Sequence, residues 1–224
     1  MSAAYRVAEE HSAGFPANAN EAGGDPLYEV IDAMGVRMTF EKDDEIYGQG
    51  EDADLVYRIV RGHVRTVRCM ADGRRHVGAF YAAGEVFGLE TGLEHRFSAE
   101  ALGDCVVMVL RRSVLRSQAL ADSRIERRLW ALTAHELELA QDHMLLLGRK
   151  TACEKVASFL VDIAGGRDCI ELPMGRQDMA DYLGLTIETV SRMLTQLQCS
   201  GLIAFPHTRH LKIRDRQALA ELSE

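Results

Sequence analysis

A chain of 224 residues with 47% hydrophobic content can bury two modest cores. Its formal net charge of −8 excludes a uniformly basic nucleic-acid binder, and no apolar run reaches the roughly 20 residues needed to cross a bilayer. Five cysteines with no CxxC pair argue against both a disulfide framework and a closed zinc site.

The N-terminus carries neither a basic stretch nor an apolar signal segment, so a cytoplasmic protein is expected. Residues 1–27 are small, polar and rich in Gly and Ala, too apolar-poor to order themselves, and are expected to form a disordered tail. From Tyr28 to Arg112 the pattern changes to short alternating runs, among them VRMTFEK, LVYRIVRGHVRTVRCM, HVGAFYAAGEVFG and CVVMVLRR. Gly48, Gly50, Gly62, Asp72-Gly73, Gly84 and Gly103-Asp104 punctuate them. Short strands broken at that spacing predict an antiparallel barrel or double-sheet roll. The acidic cluster Glu41, Asp43, Asp44 and Glu45 resembles no metal loop and reads as a solvated turn.

From Ser113 to Leu147 the period becomes helical. Ile125, Leu129, Leu132, Ala140 and Leu147 recur at spacings built from three and four, with Glu136 and His143 interrupting and Leu137, Met144 and Leu145 adjoining. So long an apolar face exceeds what a small roll can cover. A homodimer seam of Ile125, Leu129, Leu132, Leu137, Ala140, Met144 and Leu147 is therefore expected. The alternative, a helix packed only on its own roll, stays open. Gly148-Arg149-Lys150 reads as a hinge into a last domain, 148–224, whose first helix is Thr151–Ala164, ended by Gly165-Gly166.

Two helical patterns then meet at Gly184 within Arg176–Leu197. The first aligns Met179, Ala180 and Leu183; the second aligns Val190, Met193, Leu194 and Leu197. A small residue at the helix crossing, a Gly at the turn and a branched residue in the second helix are what a helix-turn-helix requires. Thr186 is placed to cap the second helix, with Glu188 in its first turn. On the opposite face Glu188, Ser191, Arg192 and Thr195 form a polar stripe. Arg can fork onto guanine, Glu can accept from cytosine or adenine amino groups, and Ser fits beside a thymine methyl. Gly201 stops this helix. Leu202–Phe205 and Leu211–Ile213 alternate around a Pro206–His210 turn, a hairpin wing offering Arg209 and His210 to phosphates, and Gln217–Leu222 closes the domain as a short helix.

Charge agrees with this division. From Gly148 onward ten basic residues match ten acidic ones, so the whole deficit lies in residues 1–147. Arg149, Lys150, Arg176, Arg192, Arg209, Lys212, Arg214 and Arg216 can then form a basic face, and the net acidity predicts weak non-specific affinity for DNA.

The run LPMGRQDMADYLGLTIETVSR, Leu172–Arg192, resembles the DNA-binding core of the CRP/FNR family of bacterial transcription regulators. Its E-x-x-S-R triplet at Glu188–Arg192 is similar to that of the FNR and FixK branch, whose members read a TTGAT…ATCAA palindrome. The likeness extends from about Tyr28 to Leu222. It implies an α+β architecture: a cyclic-nucleotide-binding-like β-roll over 28–112, a dimerisation helix over 113–147 and a winged helix-turn-helix over 148–224. It also implies base reading by Ile187, Glu188, Ser191 and Arg192, with Arg176, Thr186, Thr189, Thr195, Arg209 and His210 on the DNA backbone. The implied partners are double-stranded promoter DNA, RNA polymerase and a second copy of the chain, and the implied targets are genes of low-oxygen or nitrogen-oxide respiration.

Sensor chemistry is where the chain departs from the family. Gly84–Gly88 looks like the start of a phosphate-binding cassette, but Leu89 stands where a ribose-binding Glu is expected. Phe97, before Ser98, stands where a phosphate-binding Arg is expected, and Arg96 is one residue early, on the other face of a strand. cAMP is not an expected ligand. No Cys precedes Cys69, so an N-terminal iron–sulfur cluster has no ligands there. Cys105 and Cys153 sit in apolar contexts, and Cys199, at the end of the second helix, is the candidate redox thiol. An effector-gated regulator using haem or another small ligand, with His63, His76 or His95 involved, is the alternative. No catalytic motif, cofactor or metal site is assigned.

Overall fold

The computed structural model describes residues 24–90, 92–148 and 151–223. Most of the expected tail, residues 1–23, lies outside the described residues, as do Arg149 and Lys150 of the expected hinge. The chain divides into two compact units, one running to Ala140 and the other starting at Gln141.

The first unit opens on a helix, where the sequence pattern predicts tail and then strand. In α1 (Pro26–Met34), the Asp25 carboxylate accepts the Leu27 backbone N–H at 3.0 Å and Pro26 occupies the first turn. Leu27 and Ile31 are fully buried. A spacing of four suits both strand and helix periods, so the Asp-Pro start, rather than the apolar pattern, decides the outcome.

Eight strands follow: β1 (Val36–Phe40), β2 (Glu45–Tyr47), β3 (Leu55–Arg61), β4 (His63–Cys69), β5 (Arg75–Ala82), β6 (Val86–Phe87), β7 (Ser98–Ala101) and β8 (Cys105–Arg111). They pair antiparallel in two four-stranded sheets, ordered β1-β8-β3-β6 and β2-β7-β4-β5. This is the expected double-sheet roll. Inside it the Tyr47, Tyr57 and Phe87 rings lie with centroids 5.1–6.1 Å apart, and Tyr81 meets Phe87 at 5.4 Å. Such pairs contribute ~0.5–1.5 kcal/mol each beyond area burial. The acidic cluster is more than a solvated turn. Asp43, at a left-handed φ of 67°, bonds Arg65 at 3.0 Å, and the buried Arg65 also bonds Glu100 at 2.7 Å.

The expected single helix over 113–147 is broken. Extended backbone at Asp122 separates α2 (Arg112–Ala121) from α3 (Ser123–Leu147). The Asp122 carboxylate accepts the Arg124 backbone N–H at 2.9 Å, the local bond by which Asp competes with helical continuation. The expected dimer seam is corrected as well. Ile125 (2% exposed) and Leu132 (8%) are buried with Leu27, Ile31, Val56, Val86, Leu110 and Leu115, and Leu129 packs against the same cluster. These three belong to their own chain's core. Leu137, Ala140 and Met144 are exposed and Leu147 is half-buried. Trp130, 77% exposed, and Leu145, 66%, join the outer face.

The second unit contains α4 (Ala152–Ala164), β9 (Cys169–Glu171), α5 (Arg176–Leu183), α6 (Ile187–Cys199), β10 (Ile203–His207), β11 (His210–Ile213) and α7 (Arg216–Glu221). Thr151 and Glu154 close a capping box on α4, and Gly165 ends it in the left-handed conformation. Val156, Leu160, Leu183, Val190, Leu194, Ile203, Leu211 and Leu219 are all at most 2% exposed and form the core. The wing hairpin β10–β11 turns at Thr208 and Arg209, a tighter turn than Pro206–His210, because His207 still pairs with His210. β9 adds a third strand beside β11 that the sequence pattern does not predict. Among the described residues no helix is long and apolar enough to cross a membrane.

Candidate nucleic-acid interface

Gly184 adopts φ +63° and ψ 37° at the end of α5, and its N–H returns to the Ala180 carbonyl. A residue with a Cβ rarely adopts that conformation, which is why Gly stands at the turn. Three residues later α6 begins. The Thr186 hydroxyl accepts the Thr189 backbone N–H at 3.2 Å and lies 3.1 Å from the Thr189 hydroxyl, so the expected cap forms. At its other end Gly201, at φ +79°, follows the cap residue Ser200, and the Leu202 N–H reaches the Leu197 carbonyl at 3.1 Å.

The two faces of α6 separate as the spacing predicts. Val190, Leu194 and Leu197 are 0–2% exposed, with Met193 half-buried beside them. Glu188, Arg192 and Thr195 are exposed; Ser191 and Ile187 are half-buried. The backbone N–H of Glu188 itself and then the Thr186 hydroxyl hold the Glu188 carboxyl below the usual range, so it presents a full negative charge. Arg176, exposed at the start of α5, donates from Nη1 to the Ser191 hydroxyl at 3.4 Å and so stands over the same face. The Thr195 hydroxyl is turned inward along the helix, donating to the Ser191 carbonyl at 2.9 Å.

On the wing Arg209 and His210 are exposed, and the His207 and His210 rings meet edge to face at 5.4 Å. Lys212 and Arg214 are exposed too. Arg216 leaves the expected basic face, because its guanidinium bonds Asp168 at 2.9 Å. Cys199, the last residue of α6, is exposed and carries a free thiol. Cys105 is buried, and desolvation pushes its thiol up to about 11.

In the roll, the Gly84–Gly88 segment is closed by the chain's own groups. Arg112 donates to the Gly88 carbonyl at 2.9 Å and to the Gly92 carbonyl at 3.3 Å. The Glu85 carboxylate accepts the Ala82 N–H at 2.5 Å, and burial pushes this carboxyl up to about 8. Leu89 packs toward the helical core. The Phe97 ring presses on Gly78 so closely that a Cβ there would lie 2.7 Å from it. Ser98 accepts the Gln49 N–H at 2.9 Å. Of the haem candidates, His63 and His76 are half-buried and His95 is 2% exposed, stacked on Tyr47 at 3.6 Å with Nδ1 3.1 Å from Glu90. Among the described residues no three His, Cys, Asp or Glu side chains converge to hold a metal ion.

Two family descriptions match the chain: a cyclic nucleotide-binding domain over residues 37–122 and a Crp-like helix-turn-helix domain over residues 154–222. Among curated proteins, the nitrogen fixation regulation protein FixK of Azorhizobium caulinodans is 47% identical over 202 residues, covering 87% of this chain and 82% of that protein. The transcriptional activator protein FnrL of Cereibacter sphaeroides is 32% identical over 203 residues, covering 86% and 82%. Among solved structures, FixK2 from Bradyrhizobium japonicum superposes with a TM-score of 0.82 at 47% identity, covering 85% of this chain and 98% of that one.

Proposed function

The chain belongs to the CRP/FNR family of transcription regulators, with FixK proteins among its near relatives, and from that footing we propose that it works as a homodimer reading a TTGAT-N4-ATCAA palindrome. It is a DNA-binding regulator of the activator type and not an enzyme. One observation carries the finer reading: Glu188, Ser191 and Arg192 stand together on the outer face of α6 while its other face is sealed in the core.

In this reading α6 enters the major groove. Arg192 forks onto the guanine of the half-site, Glu188 accepts from an amino group on a neighbouring base, and Ser191 and Ile187 meet thymine methyls. Arg176, Arg209 and His210, with the hydroxyls of Thr186 and Thr189 at the start of α6, hold phosphates and fix the register, and Thr195 joins them once its hydroxyl releases the Ser191 carbonyl. A two-fold pair places two such helices in successive major grooves, roughly 34 Å apart. The seam runs along the outer face of α3, where Trp130, Ala134, Leu137, Gln141 and Met144 recur at alternating spacings of four and three and are all exposed.

The regulator acts without cAMP. Phe97, in the place of a phosphate-binding Arg, cannot neutralise an anion, and Arg112 already spans the cassette carbonyls. Contact with RNA polymerase and control of low-oxygen or nitrogen-oxide respiration genes, which the resemblance to the FNR and FixK branch implies, complete the proposal.

The decisive experiment is to select DNA from a random pool with the purified protein, no effector added, and sequence it. Recovery of a TTGAT-type palindrome supports the reading; recovery of unrelated DNA, or of none until a ligand is supplied, ends it. With the selected site in hand, Arg192→Ala is expected to relax discrimination at the guanine by ~10- to 100-fold while leaving affinity for random duplex nearly unchanged.

A further inference from the structure

The turn between α5 and α6 is held from behind by groups that neither helix supplies. An α-helix leaves its last carbonyls without partners of its own. At the C-terminal end of α5 the Tyr182 carbonyl lies 2.8 Å from Nε2 of His143, on the last turns of α3. The next carbonyl, of Leu183, accepts from Lys155 Nζ of α4 at 3.3 Å. The His143 imidazole also lies flat on the Tyr182 ring, with centroids 3.9 Å apart and planes 5° apart, and Phe159 of α4 tilts against that ring at 5.5 Å. Four residues on, Leu147 reaches Gly184 itself, where a Cβ would meet its Cδ2 at 3.4 Å. His143 and Leu147 share one face of α3, while Gln141, Met144 and Leu145 are exposed. All of these residues belong to the second unit.

We infer that His143 is a positioning residue for DNA binding: its stack on Tyr182 and its bond to the Tyr182 carbonyl set which half-site separation the regulator accepts, not which bases it reads. This rests on the dimer reading above. Two copies joined along the outer face of α3 hold their recognition helices at a separation that depends on the angle between the end of α3 and the turn. A carbonyl bond alone leaves rotation about its axis, and a ring stack alone leaves sliding in its plane. Both made by one side chain remove both freedoms. Lys155 and Leu147 hold the same turn, so losing His143 loosens this joint without dismantling α5 or α6.

The test uses the full chain and the selected palindrome, with its spacer lengthened or shortened by one base pair. His143→Ala is expected to lose about tenfold of the preference for the native spacer, the combined worth of one hydrogen bond and one ring stack. Its discrimination among half-site bases stays as in the wild type. The Gly184 and Leu185 amides, both bonded to the Ala180 carbonyl, exchange faster. Arg192→Ala shows the opposite split, losing base discrimination and keeping spacer preference. A His143→Ala protein with wild-type spacer preference overturns the assignment, and so does one that loses base discrimination along with it. If the alanine variant does not fold, two milder variants replace it: His143→Phe, which keeps a ring, and His143→Gln, which keeps a donor. Each is expected to lose about threefold of spacer preference. Wild-type preference in both, or failure of both to fold, overturns the assignment. A wild-type protein indifferent to spacer length instead sinks the dimer reading beneath.

Discussion

Glu188 and Glu85 show how one side-chain type is driven in opposite directions by its surroundings. Glu188, at the N-terminus of α6, is held ionised by backbone and hydroxyl donors, as an acceptor for base amino groups must be. Glu85, half-buried between β5 and β6, has its carboxyl pushed up to about 8 by burial, against an ordinary 4.5. The folded roll therefore binds a proton that the unfolded chain releases at lower pH. The stability this group contributes is complete below the ordinary value and is lost as pH rises through about 8. Glu85→Gln, permanently neutral, is expected to flatten the fall in melting temperature between pH 6 and pH 9; thermal unfolding followed by circular dichroism across that range checks it. A fall as steep as in the wild type would place the titration elsewhere. Little at this scale could be read from residue spacing. Phe97 in place of an Arg is visible in the chain, but its position on Gly78 is not.

At the scale of single elements, α6 and α3 behave differently. The start, faces and turn of α6 follow from local chemistry, so Thr186→Ala is expected to cost ~1 kcal/mol of stability in this unit, read by chemical denaturation. For α3, spacing gives a single expected seam, and burial divides it into an inner and an outer set. Leu132→Ala is expected to cost about 2–5 kcal/mol of roll stability, because it opens a cavity in its own chain's core. Leu137→Glu should leave the roll's melting temperature nearly unchanged and convert the dimer to monomer in sedimentation velocity. If Leu137→Glu stayed dimeric, the outer stripe would be the wrong seam.

Across the whole molecule, the net charge of −8 coexists with DNA binding because the acidic excess lies in residues 1–147 and leaves 148–224 neutral. Binding to random duplex should be weak and steeply salt-dependent, whereas binding to the selected palindrome survives moderate salt through its base contacts. Arg209→Ala on the wing is expected to weaken binding to every sequence alike and to lower the slope of log affinity against log salt by about one. Fluorescence anisotropy over a salt series measures both.

What residue order alone settled is whatever depends on neighbours a few positions apart. The turn at Gly184, the cap at Thr186 and the outward set of Glu188, Ser191 and Arg192 are spaced within one or two helical turns, and helix geometry dictates their placement. Tertiary structure decided everything that needs a partner far along the chain. Ile125, Leu129 and Leu132 turned inward because α1 and the roll cover that side of α3, leaving Trp130, Leu137 and Met144 outside. β9 became a strand because β11 offered it a free edge, and His143 found a carbonyl 39 positions away. Periodicity says that a face is apolar, but only the packed chain determines what covers it.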